Sequence, residues 1–117
     1  FGLHLLGHWV RDRGDMSLEF AIQALTSRPA HIYRIKERGC LVPGAWADLM
    51  LFDPSKVARG EKRRVFDLPT GAGRIDTPAV GLHGVWVNGV RTVDHHGDSL
   101  ADCGTPGHLL RDFSEDV

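Results

Sequence analysis

Two histidine groupings, a glycine-rich loop and a basic run are where this sequence could do chemistry. His4 and His8 stand at i,i+4, the spacing at which two imidazoles on one helix face can clamp a metal ion. Leu5 stands where a zinc-protease HExxH helix carries its glutamate, so the general base of that motif is missing. A polar stripe, solvated or facing another domain, is the plainer reading. Asp94-His95-His96-Gly97-Asp98 offers four potential ligands in five residues. Read as a strand end, it points His95 and His96 to opposite faces. An exposed hairpin end is therefore expected, with adventitious metal contact as the alternative. Gly71-Ala72-Gly73 has part of a dinucleotide-loop pattern, but Asp76 holds the third glycine's place and no helical pattern follows, which leaves a flexible loop. Arg59-Gly60-Glu61-Lys62-Arg63-Arg64 has no interleaved aromatics to stack bases and reads as a solvated loop. No catalytic, cofactor-binding or metal-ligating residue is assigned on these patterns. His4, His8, His95 and His96 are left without a role.

The elements that carry these groups follow from periodicity and punctuation. A first helix is expected over Gly2–Arg13, with Leu3, Leu5, Leu6, Trp9 and Val10 on one arc and His4, His8 and Arg11 opposite; Gly14-Asp15 ends it. Ser17 is a good N-cap, with Glu19 in the first turn, for a second helix to about Thr26. Ser27 is expected to cap a third short helix with Pro29 in its first turn. Beyond Arg38-Gly39 the pattern turns β-like: a short strand at Leu41-Val42, a turn at Pro43-Gly44, and a central strand Trp46–Phe52. The unbroken run Leu49-Met50-Leu51-Phe52 predicts burial on both faces. Asp53 should cap a single helical turn with Pro54 at its first position. Val65-Phe66 offers one more strand. Asn88-Gly89 predicts a type I′ hairpin over Leu82–Asp94, pairing Val87 with Val90, Trp86 with Arg91 and Val85 with Thr92. A last helical turn is expected at His108–Arg111, followed by a disordered acidic tail, Ser114-Glu115-Asp116.

A chain of 117 residues with 42% hydrophobic and 25% charged residues suits one soluble α+β domain. A formal charge of -1 argues against nucleic-acid or membrane-surface partners. No apolar run is long enough for a membrane span. Phe1-Gly2-Leu3 is neither an initiator nor a signal-peptide start, and a fragment or a processed chain is expected. Two widely separated cysteines, Cys40 and Cys103, are expected as free thiols, which fits a reducing cytoplasm.

The segment Arg38-Gly39 … Val42-Pro43-Gly44 … Ala47-Asp48-Leu49 … Phe52-Asp53 resembles the stretch by which chains of the amidohydrolase superfamily leave the catalytic barrel for a small β-sandwich. Three further stretches resemble its N-acyl-D-amino-acid deacylase branch, in the same order, and a fourth, Asp67-Leu68-Pro69-Thr70-Gly71, resembles a subgroup of that branch. The three are Leu6-Gly7-His8-Trp9-Val10-Arg11, Ser17-Leu18-Glu19 through Thr26-Ser27-Arg28-Pro29-Ala30, and Val87-Asn88-Gly89-Val90 with Gly104-Thr105-Pro106-Gly107. The resemblance implies that residues 1–36 are the last helices of a (β/α)8 barrel and residues 37–117 part of a β-sandwich. It implies a C-terminal segment of an enzyme in which zinc-activated water attacks the amide of an N-acyl-D-amino acid, with a barrel aspartate moving the proton. The zinc ligands lie upstream in that family and no His-x-His occurs here, so no zinc is expected on this chain itself. His8 and Arg11 are the residues nearest to candidates, and nothing identifies either with a family role. The expected partners are the missing N-terminal part of the chain and, through open strand edges, a second copy. Two other readings stand beside this one: a non-catalytic α+β assembly module, and another amidohydrolase branch acting on cyclic amides or ureides.

Overall fold

Capping residues and turn glycines divide the N-terminal third into three helices. The computed structural model describes residues 1–111 and 113. Helix α1 opens as one α-helical turn at Gly2–His4 and continues without a break as a π-helix over Leu5–Asp12. The wider turn is carried by bonds such as Arg13 N–H to the His8 carbonyl at 2.9 Å, and Gly14 ends the helix at φ +66°. Nothing in the local sequence had called for a π-helix. Helix α2, Leu18–Leu25, starts where expected: the Ser17 hydroxyl accepts the Phe20 N–H at 3.2 Å. Helix α3, Ser27–Ile32, differs at its start. Ser27 is already helical and Thr26 holds the cap position, with no side-chain cap bond because its hydroxyl donates to the Ile22 carbonyl.

The rest is strands and turns. β1 is Leu49–Phe52, β2 Ala58–Arg59, β3 Arg63–Val65, β4 Arg74–Asp76, β5 Ala79–Val80, β6 Leu82–Val87 and β7 Val90–Val93. They form three antiparallel sheets: β1-β6-β7, β2-β5 and β3-β4. Leu41-Val42 is not a strand, and β1 starts at Leu49 rather than Trp46. The intervening backbone bonds locally instead, Trp46 N–H to Glu37 and Asp48 N–H to Trp46, both at 2.9 Å. Residues 108–111 are not helical. The acidic tail lies outside the described residues.

The hairpin forms with Asn88 at φ +49° and Gly89 at φ +82°, as a type I′ turn requires. Val87 pairs with Val90 and Trp86 with Arg91, whose guanidinium stands 5.1 Å from the indole. Val85, however, pairs with Val93 rather than Thr92, because a bulge enters between Val85 and Trp86.

Helices and sheets meet at Val57, which is fully buried with Leu6 and Ala21. Asp53 caps the turn before it through Ser55, and Val57 N–H bonds the Asp53 carbonyl at 2.8 Å. Two glycines admit Val57. A Cβ at Gly7 would collide with its carbonyl oxygen, and one at Gly81 would stand 2.6 Å from its nitrogen. Arg11 Nη1 donates to that same carbonyl at 2.6 Å.

The prediction of a doubly buried β1 is overturned. Leu49, Met50 and Leu51 are 36, 43 and 55% exposed, because β1 is an edge strand of which only Phe52 reaches the core, and the rest is incompletely covered. The shortfall is general. The chain exposes 8647 Å², whereas a folded monomer of this mass exposes about 6,300 Å². Its radius of gyration, 16.3 Å, exceeds the roughly 13 Å of a compact domain of this length. The helices and sheets surround a core that is too small for them.

Candidate functional site

The N-terminal turn of α1, the end of α2, Met50 of β1, Arg59 of β2 and the turn at Thr77-Pro78 line an open cavity of about 530 Å³. Phe1, Leu3, Leu6, Leu25 and Met50 give it apolar walls, and His4 and Arg59 supply its charged groups. His4 and His8 do come together: their rings are parallel within 8°, with centroids 4.9 Å apart. Desolvation lowers the His4 pKa below the ordinary imidazole value, and the charges of Arg59, His8 and the N-terminus lower it further. Arg11, expected on the same stripe, has turned away to Val57.

This pair does not fit a zinc ion. Imidazole nitrogens present their lone pairs in the ring plane, so two rings lying face to face aim along parallel planes rather than at one point. The second grouping is arranged differently from its prediction. His95 and His96 lie in a turn rather than on a strand, so their rings do not diverge; the centroids are 3.8 Å apart at 43°. Asp94 folds that turn, its Oδ1 accepting the N–H groups of His96 at 2.8 Å and Asp98 at 3.0 Å. These bonds, first from Asp98 and then from His96, hold the Asp94 carboxyl below its usual pKa. Among the described residues, no group of three or more His, Cys, Asp or Glu side chains is placed to hold a metal ion. Cys40 is exposed, Cys103 half-buried, and neither is bridged.

Two residues read only as part of the signature stretch, Arg38 and Asp48, form a polar cluster with the hairpin residue Asn88. Asp48 pairs with Arg38 and accepts the Asn88 N–H at 2.8 Å. Burial raises the Asp48 pKa, but the Asn88 N–H and the Arg38 guanidinium outweigh it and hold the carboxyl below its ordinary value. Arg38 also lies 5.2 Å over the Trp46 ring, and Asn88 Nδ2 donates to the Pro106 carbonyl at 2.7 Å. No spacing rule pairs residue 48 with residue 88. This knot ties the first strand to the hairpin tip, and its bonds are spent on structure.

The order of helices and small antiparallel sheets can be set against known proteins. A family model described as "Amidohydrolase family" matches residues 2–93, and the chain belongs to that family. Within it, the chain is similar to the N-acyl-D-glutamate deacylase of Alcaligenes xylosoxydans xylosoxydans, 34% identical over 92% of this chain and 19% of that protein. It is also similar to the D-aminoacylase of the same organism, 39% identical over 73% of this chain and 16% of that protein. Among solved structures, the N-acyl-D-glutamate deacylase of Bordetella bronchiseptica, bound to zinc and a phosphonate mimic of the tetrahedral intermediate, matches with a TM-score of 0.70. The identity there is 41%, over 94% of this chain and 20% of that one. A D-aminoacylase mutant in complex with copper chloride matches with a TM-score of 0.72 at 30% identity, over 95% of this chain and 21% of that one. The chain thus spans about a fifth of the length of these relatives.

Proposed function

We propose that this chain is the C-terminal segment of a zinc-dependent amidohydrolase that cleaves the amide bond of N-acyl-D-amino acids, working in the cytoplasm. Residues 1–36 are the last helices around a (β/α)8 barrel, and residues 37–117 form one part of a β-sandwich closed by strands from elsewhere in the same polypeptide. The observation that carries this reading is the match to a deacylase of known structure over 94% of the chain at 41% identity. The missing cover over β1 supports it independently. A surplus of roughly 2,300 Å² over a monomer's surface is what a segment shows when its neighbours are removed.

On this reading the catalytic zinc and its ligands belong to the remainder of the polypeptide. The chain's own residues close the barrel and brace the sandwich: Val57 locks α1 to β2, and Asp48 locks β1 to the hairpin. By itself the chain hydrolyses nothing, holds no zinc at a defined site, and pairs its open strand edge with a second copy.

The test is to express the complete reading frame and assay hydrolysis of N-acyl-D-glutamate, N-acyl-D-aspartate and neutral N-acyl-D-amino acids, with and without a chelator. Turnover that zinc restores after chelation supports the reading. A reading frame with no barrel upstream of Phe1, or turnover by the isolated chain, sinks it.

A further inference from the structure

The ribbon formed by β3 and β4 has two unlike faces. One carries a closed ladder of ion pairs: Arg63 Nε to Asp76 at 2.8 Å, Arg74 to Asp76 at 3.6 Å, and Arg74 to both oxygens of Asp67 at 2.7 and 2.6 Å. The other carries Arg64, Phe66 and Ile75. The Phe66 ring packs against Gly73, where a Cβ would stand 3.0 Å from it and 3.7 Å from Arg64 Nη1. Phe66 is 66% exposed and Ile75 55%. Among the described residues no acidic side chain pairs with Arg64. A two-stranded ribbon alone is marginal in water, yet this one presents a built apolar platform with an unmatched cation at its rim.

We propose that this platform docks on the remainder of the same polypeptide, against an apolar surface that brings a carboxylate to Arg64. The inference rests on the proposed function, since it needs that remainder to exist. Charge selects the partner: two copies meeting face to face across a two-fold axis would bring Arg64 against apolar groups and a second cation, with no acid between them. The cover must also be large, because the chain's surface exceeds that of a folded monomer of its mass by roughly 2,300 Å². A body as large as the other four-fifths of the relatives' length can cover it.

Trypsin reports the docking directly, because Lys62, Arg63, Arg64 and Arg74 are cleavage sites within the ribbon. In the full-length protein, native-state digestion should leave these bonds intact under conditions that cut them in the isolated 117-residue chain. Phe66→Ser and, separately, Ile75→Ser should each raise cleavage there by about tenfold or more, since proteolysis follows the opening equilibrium. Ribbon cleavage in the full-length wild type as fast as in the isolated chain overturns the proposal. So does protection that appears only at concentrations where light scattering finds a dimer, which would make a second copy the cover. A reading frame with nothing upstream of Phe1 removes the partner and overturns it too. The deacylase assay on the same preparations separates the two ideas. An inactive protein with a protected ribbon sinks the function and leaves the docking standing, whereas an active protein with an exposed ribbon does the reverse.

Discussion

Gly7 lays bare backbone against the carbonyl of Val57, so closely that a Cβ would also stand 3.2 Å from the Ala58 Cα. A π-helix and a sheet are joined there with no side chain between them, and Arg11 closes the joint by donating to the same oxygen.

Replacing Gly7 by Ala should therefore prise α1 from β2. Overpacked contacts of this kind cost about 1–3 kcal/mol, and the obstacle here is backbone, which cannot rotate aside. Urea denaturation of the full-length protein should show a lower midpoint for Gly7→Ala. An unchanged midpoint would mean that the joint has room to spare.

Asp48→Asn should loosen the hairpin tip by removing the ion pair to Arg38 and weakening the bond from Asn88. The loss should be about 1 kcal/mol, below the usual range for bonds to a charged group, because Asp48 is partly exposed and solvent screens the pair. The pH dependence has a definite sign. The folded pKa is depressed, so this stabilisation is present above the ordinary carboxylate pKa and is lost as pH falls through the folded value. The wild type should lose stability on acidification more steeply than Asp48→Asn, and parallel curves would rule Asp48 out as the source.

His4 should titrate below the ordinary imidazole value in a histidine-resolved NMR experiment. With its pKa lowered by the fold, the neutral form is the one the native state prefers, so any stability linked to His4 is present at high pH and lost as pH falls through the imidazole range. Arg59→Gln removes a cation and should move the His4 midpoint upward. A midpoint that does not move would show that Arg59 is not felt there.

Gly89→Val forces a β-branched residue to φ +82°. The expected cost is about 1–3 kcal/mol, seen as a lower melting temperature with the hairpin amides exchanging faster. Gly104→Val, a glycine also at positive φ but with nothing packed against it, should perturb only its own turn and provides the comparison.

Thiol titration of denatured, unreduced protein should find both Cys40 and Cys103 free. Zinc calorimetry on the isolated chain should show no stoichiometric tight site, given parallel rings at His4 and His8.

Features whose causes lie within a few residues were legible from the sequence. Ser17 caps α2 because its hydroxyl needs only the backbone three residues on, and Asn88-Gly89 sets its turn because both residues tolerate positive φ. The existence of β1 was legible from Leu49 to Phe52, but its exposure was not, because burial depends on what packs over a strand and not on the strand's own residues. The shift from Thr92 to Val93 opposite Val85 was invisible, since a bulge leaves no mark in an alternating pattern. His95 and His96 were misplaced by assuming a strand where Asp94 folds a turn. Asp48 and Arg38 were noticed as signature residues without a reason, and the reason, the Asn88 N–H, lies 40 residues away.

The two borders of the three-stranded sheet differ in a way that governs how copies of this chain can add to one another. On the β7 side, Val93 bridges to Ser99 and Leu100 N–H bonds Thr92 at 2.9 Å, so returning chain already occupies that border. The bulge beside Val85 adds local twist there. On the β1 side the border is open. A unit with one reactive border has a valence of one: it can join a single partner and then has nothing left to offer, whereas a sheet open on both sides can extend without limit. Copies of this chain should therefore stop at pairs through this sheet rather than grow into fibres.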